Sequence, residues 1–110
     1  MTDVSAHEDL AESLRRAALH APALTPPQLR MGAAARASGG PAIEAPYDAL
    51  AKQIGEAAYR VTDAQASAVL AAAGNEKAAF EVIAAAAVGA GLQRWDIGIQ
   101  ALRETVDATA

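Results

Sequence analysis

The sequence predicts an all-α protein of about five helices in a single domain of 110 residues. Two observations indicate this class. Patterns that begin a helix recur along the chain, and no segment of five or more residues combines the apolar–polar alternation of a strand with enrichment in β-branched residues. Alanine supplies much of the 53% hydrophobic content, and alanine favours helix while adding little apolar area per residue. Large core side chains are therefore scarce, which favours burial against another subunit.

The first helices follow from two capping boxes. Ser5 with Glu8 predicts a helix over about 6–20, and Thr25 with Gln28 predicts a second helix that runs to Ala37. Glycines and a proline follow the second helix, so the next residues are expected to form a linker. This organisation gives an N-terminal helical pair at 5–37 and a linker at 38–46.

Three further helices are predicted after the linker. One runs from Tyr47 to about Tyr59, and a short one is capped by Thr62 and ended by Gly74. Asn75 caps the last, which carries the apolar run and passes three glycines before its end. These helices fill 47–103, a bend is predicted near Gly89–Gly91, and 104–110 is predicted to be a frayed tail.

The order of motifs in 47–102 resembles the AhpD-like, or carboxymuconolactone decarboxylase-like, superfamily. A helix is followed by "VTD", which caps a short helix, then by "AAAG", and then by a helix with "FEV" and "AAAVGAGLQR". In the family this last helix carries a glutamate and, about a dozen residues on, an arginine. Here these residues are Glu81 and Arg94.

The resemblance implies an all-helical fold that assembles through long helices, and we expect a homo-oligomer. Peroxidase members carry a Cys-x-x-Cys-x-x-x-His motif before the "AAAG" turn. The matching positions here are roughly Tyr59, Thr62 and Ala66, and the chain contains no cysteine. Without a thiolate to attack the peroxide and a second thiol to resolve the sulfenic acid, disulfide-based peroxidase activity is excluded.

Acid–base residues are the remaining candidates for chemistry. The decarboxylase branch of the family uses such residues in a pocket between helices. In the matching region these are Glu56, Glu81 and Asp96, with Arg94 able to hold a carboxylate. Glu81 in the first turns of the last helix is more simply explained as a solvent-facing carboxylate favoured by the helix dipole.

The segment "GAGLQRWD" is more simply explained as a helix–helix contact than as a ligand-binding bend. Its small residues permit close approach of two backbones, and a tryptophan is a typical interface anchor. The predicted interface residues are Gly89, Gly91, Leu92 and Trp95.

Several functions are disfavoured by composition. The net charge is −4 and the basic residues are scattered, which disfavours nucleic-acid binding. The longest apolar run is too short to span a bilayer, and a cytoplasmic location is expected. His7 and His20 match no zinc-ligand spacing, so neither a metal nor another cofactor is predicted.

Three hypotheses of function remain. The leading one is a cysteine-free AhpD-like protein that acts through oligomerisation or partner binding; one specific form is the companion of a catalytic relative. The alternative is a cofactor-free decarboxylase or isomerase acting on a small carboxylate, with Glu81 as acid or base and Arg94 holding the substrate. The third is an adaptor whose N-terminal pair docks through an exposed apolar stripe along Leu10, Leu14 and Leu19.

Overall fold

Five α-helices make up most of the chain, and the described residues contain no β-strand, which confirms the all-α prediction. The computed structural model describes residues 2–109, with side chains from 5 to 108. The helices are α1 (Thr2–Arg15), α2 (Pro27–Ala37), α3 (Tyr47–Ala57), α4 (Asp63–Ala73) and α5 (Glu76–Thr109). A π-helical turn, Arg16–His20, extends α1, and a 3₁₀ turn, Ala58–Arg60, follows α3.

The residues that begin and end α4 form the cap and the turn that the sequence predicts. The Thr62 hydroxyl accepts a hydrogen bond from the Gln65 backbone N–H at 3.1 Å, and the Gln65 side chain accepts one from the Thr62 N–H at 3.0 Å. Gly74 ends α4 with φ +93°, a left-handed conformation that glycine adopts at no steric cost. Asn75 then caps α5 by accepting from the Ala78 N–H at 2.8 Å.

The two N-terminal capping boxes do not form. Ser5 lies inside α1, because that helix begins at Thr2. In α2, Pro26 occupies the N-cap position and has no side-chain acceptor, while Pro27 begins the helix. The Thr25 hydroxyl, expected to cap α2, instead donates to Glu81.

The predicted linker is anchored to α2 and α3 by one carboxylate. Asp48 accepts hydrogen bonds from the Ile43 N–H at 2.9 Å and from Arg36 Nε at 2.8 Å. At the other end, α5 is a single helix that continues to Thr109. The residues from 104 to 109 are thus helical rather than a frayed tail, and Ala110 lies outside the described residues.

The core lies between α2, α3, α4 and α5, so α2 of the N-terminal pair shares one core with the later helices. Its larger members are Tyr47, Leu50, Ile54, Val69 and Val82, and the other buried members are alanines. Because so many of its side chains are small, α2 lies in backbone contact with both neighbours. A Cβ atom added to Gly55 would lie 2.0 Å from the Ala37 carbonyl oxygen, and one added to Gly89 would lie 2.5 Å from that of Ala34.

A buried arginine joins the end of the first helical segment to α2. Arg30 is only 2% exposed, and its guanidinium donates to the carbonyl oxygens of Ala18 (2.9 Å) and Ala21. These carbonyls lie at the end of the π-helical turn, where backbone acceptors have no helical partner and a cation is favoured. Arg30 thus fixes the direction in which α1 leaves the core.

The molecule is longer than its small core requires. Its extents are 54 × 28 × 21 Å and its radius of gyration is 15.6 Å, against about 13 Å for a compact chain of this length. The excess length comes from α5, in which residues 97–108 carry no buried side chain. α1 runs antiparallel to this part of α5, to which it is joined by the ion pairs Glu8–Arg103 and Arg15–Asp96.

We predict that Gly89→Ala destabilises the fold by about 1–3 kcal/mol, because the new methyl group would force α5 away from Ala34. Gly91→Ala is the matched control, since a Cβ there meets nothing within 4 Å in the chain. It should stabilise the isolated chain by up to about 1 kcal/mol through helix propensity. Urea unfolding of dilute protein, followed by circular dichroism, measures both, and equal effects at the two positions would contradict the packing described.

Candidate interaction surface and the Glu81 site

Glu81 is held by the loop between the π-helical turn and α2. Its carboxylate accepts hydrogen bonds from the Thr25 hydroxyl at 2.7 Å, the Thr25 N–H at 2.8 Å and the Leu24 N–H at 3.1 Å. The hydrogen bond from the Thr25 hydroxyl is the main cause that lowers the pKa of Glu81, and the two backbone donors and the Arg30 charge act in the same direction. This carboxylate fastens α5 to the preceding loop.

Arg94, the second candidate for catalysis, lies elsewhere. Its guanidinium donates to the Gly55 carbonyl oxygen at 2.9 Å, at the end of α3. Both residues belong to α5, and the helical rise separates their backbones by roughly 20 Å along the axis. Glu81 and Arg94 therefore do not meet in one pocket, and each already has partners within the chain.

The other titratable candidates are also dispersed. Glu56 lies 4.0 Å from Lys52, and Asp96 lies 3.8 Å from Arg15. The His7 ring contacts Trp95 edge to face, with ring centroids 5.8 Å apart. Within residues 2–109, no three His, Asp or Glu side chains are placed to hold a metal ion.

The four predicted interface residues divide into two pairs. Gly89 faces α2, and Leu92, 8% exposed, is buried. Gly91 faces open space, and Trp95 is partly exposed beside it. Gly89 thus serves packing within the chain, whereas Gly91 and Trp95 lie on the surface.

An apolar groove lies between α1 and the middle of α5. Its volume is about 620 Å³. Leu10 is 67% exposed and Leu14 is 48% exposed along its α1 edge, whereas Leu19 is buried. Leu19 follows Leu10 by about two and a half helical turns, which places the two on opposite sides, so the predicted stripe contains only the first two leucines. The groove is lined by His7, Leu10, Ala11, Leu14, Ala87, Val88, Gly91, Leu92 and Trp95.

The groove continues into a wider apolar surface on α5. Residues spaced three or four apart share one side of a helix, and on the side of α5 turned away from the core they are uncharged. Phe80 at one end is 67% exposed, and Leu102 near the other is 55% exposed. We call this side, from Phe80 to Leu102, the outer face of α5; Lys77, one turn before it, is the nearest charged residue on the same side. The outer face comprises Phe80, Ala84, Ala87, Gly91, Trp95, Gly98 and Leu102.

The outer face carries a seven-residue repeat of small and large residues. Ala84, Gly91 and Gly98 recur every seven residues, and Trp95 and Leu102 repeat the same interval four residues after the glycines. Seven residues are close to two helical turns, so the small residues form one row and the large residues a neighbouring row. The period is visible in the sequence, but only the structure shows that this side is turned away from the core.

Comparisons with known proteins produced no match to a protein-family model, to a curated protein or to a solved structure. Within the described part of the chain, no helix has the length and apolar character needed to cross a membrane.

We predict that Glu81 makes the stability of the protein depend on pH. Because its pKa is lowered in the folded state, its contribution is present above the ordinary glutamate pKa and disappears as the pH falls through the lowered value. Glu81→Gln should therefore lower the urea midpoint at about pH 7, and the difference from the unchanged protein should shrink toward about pH 3.

Glu104→Gln is the control for this experiment, because the Glu104 side chain is exposed and accepts only from the nearby Gln100 side chain. It should leave the urea midpoint almost unchanged at either pH. An effect of Glu81→Gln that is equally large at both pH values would show that the charged form is not what the Thr25 loop stabilises.

Proposed function

We propose that this protein is a non-peroxidase helical binding protein, and that it binds a helix of another polypeptide through the outer face of α5 and the adjoining apolar groove. The observation that carries the proposal is an uncharged face on the solvent side of a helix. Exposed helices of folded proteins normally present charged and polar residues there. Extended apolar patches on a surface mark sites of protein association.

The shape of the surface indicates a helical partner. A groove bounded by two helices and lined by leucines is suited to receive the apolar side of a third helix. The small residues on α5 allow a partner backbone to approach closely, and Leu10, Leu14 and Trp95 provide large apolar contacts at its margin.

The AhpD-like assignment supports the same proposal and remains a prediction. The helix capped by Thr62, the turn at Gly74 and the long α5 follow in the order that the resemblance requires. Since the chain has no cysteine, a role as the non-catalytic companion of a catalytic relative fits this assignment. A cytoplasmic location is proposed separately, from the shortness of the apolar run noted in the sequence.

The enzymatic alternative receives no support from the geometry. General acid–base catalysis requires both groups within hydrogen-bond reach of one substrate. Glu81 is engaged by Thr25 and Arg94 by Gly55, at separate places along α5.

Site-specific photo-crosslinking tests the proposal. A benzophenone amino acid in place of Leu14, at the groove edge, should form adducts in cells that naturally make the protein. The same residue in place of Ile97, which is 62% exposed on another side of α5, should form few or none. Adduct yields that are equally low at the two positions would overturn the proposal.

A further inference from the structure

We infer that the helix bound by this surface is α5 of a second copy of the chain, packed antiparallel about a two-fold axis that passes between Asp96 and Ile97. The inference rests on the proposed function, because it names the partner that the outer face and the groove would bind.

The first observation concerns the glycines of α5. A glycine inside a helix costs up to about 1 kcal/mol relative to alanine. Gly89 has a reason within the chain, since a Cβ there would collide with Ala34. Gly91 and Gly98 have none, because a Cβ at either position meets nothing within 4 Å. Close approach of a backbone from another molecule would explain both.

The second observation is that, in one antiparallel register of two α5 helices, the large residues of each helix lie level with the small residues of the other. Positions 95 and 98 lie at equal distances from a point between 96 and 97, and so do positions 102 and 91. An antiparallel pair centred there places Trp95 against Gly98 of the partner subunit and Leu102 against Gly91 of the partner subunit. Two-fold symmetry repeats both contacts, so Trp95 and Leu102 each meet a glycine.

The third observation is that the groove and a side chain able to fill it lie on the same surface. In this register Leu102 of the partner subunit enters the groove beside Leu10, Leu14 and Gly91. Leu102 is 55% exposed within its own chain, so this contact removes apolar area on both sides. A surface that contains both the groove and the side chain that fills it is self-complementary, as a two-fold interface requires.

Charges do not oppose this pairing. Asp96 and Arg103 face α1, where they pair with Arg15 and Glu8. Arg94 lies at the edge of the outer face and donates to the Gly55 carbonyl oxygen. In the antiparallel register the position level with it is the partner's Ile99, which is uncharged.

The area available is sufficient for a stable dimer. The chain exposes 6760 Å², about 1,000 Å² more than a compact monomer of its mass. A typical stable interface buries about 800 Å² from each partner. The second half of α5, where residues 97–108 carry no buried side chain, is where the second copy is placed.

Sedimentation equilibrium of the full chain tests the inference, with Gly98→Leu as the decisive variant. A leucine there meets open space within the chain but would prevent close approach of the partner. We expect a dimer for the unchanged protein and at least about a 100-fold weaker association for the variant, corresponding to about 2.7 kcal/mol. Gln100→Leu adds the same side chain on another side of α5 and should leave the dimer intact.

Distances between spin labels determine whether the two copies of α5 are antiparallel or parallel. Because the chain has no cysteine, Lys77→Cys or Glu104→Cys provides a single labelling site in each chain. With the axis between 96 and 97, the helical rise separates paired labels along the axis by about 58 Å at position 77 and about 22 Å at position 104. A parallel dimer would give short distances at both positions and would overturn the inference.

A protein that stays monomeric at all concentrations would also overturn it. If Leu14 still formed adducts with a different polypeptide in cells, the proposed binding function would stand without the second copy. If Leu14 formed no adducts above the Ile97 control, the binding function itself would fail.

Discussion

The backbone contact between Gly89 and Ala34 determines how α5 is placed. Because no side chain separates the helices there, the side of α5 that carries Gly89 must face α2. Gly91, two residues later, is turned by about 200° around the helix axis and faces solvent. The same rotation directs Phe80 and Leu102 outward, so a contact in the core determines which residues form the outer face.

Alanine explains why this face is left uncovered. Small side chains let α2, α3 and α5 approach closely, and the resulting core is compact but contains few large residues. A helix of 34 residues extends for about 51 Å, farther than such a core can cover. α1 covers part of the remainder through the Glu8–Arg103 and Arg15–Asp96 pairs. The outer face that stays exposed is apolar and combines small residues with Phe80 and Leu102, which is a composition expected of a helix–helix contact.

The sequence was most informative where structure is local. The Thr62 box, the left-handed Gly74 and the Asn75 cap depend only on neighbouring residues, and all three form. The prediction that Thr25 caps α2 was wrong, because its hydroxyl donates to a distant carboxylate, that of Glu81. Such a long-range partner cannot be inferred from spacing along the chain.

The candidate interface, too, could be predicted from the sequence only where local pattern was enough. The small residues near Gly91 indicated helix–helix contact, but sequence alone did not separate Gly89, which serves the core, from Gly91, which lies outside. That distinction depends on the rotation of α5 and therefore on tertiary packing. For Glu81 and Arg94, the family pattern indicated a shared site, whereas the rise of α5 separates them and each contacts a different part of the chain.

Hydrogen exchange across residues 97–109, measured by mass spectrometry as a function of protein concentration, tests the association surface most directly. Residues 97–108 carry no buried side chain in the single chain, so amides in this segment should exchange readily in dilute protein through local opening. We predict that amide exchange in this segment slows by about tenfold or more as the protein concentration rises well above the dimer Kd. Exchange in 97–109 that is independent of concentration would contradict it.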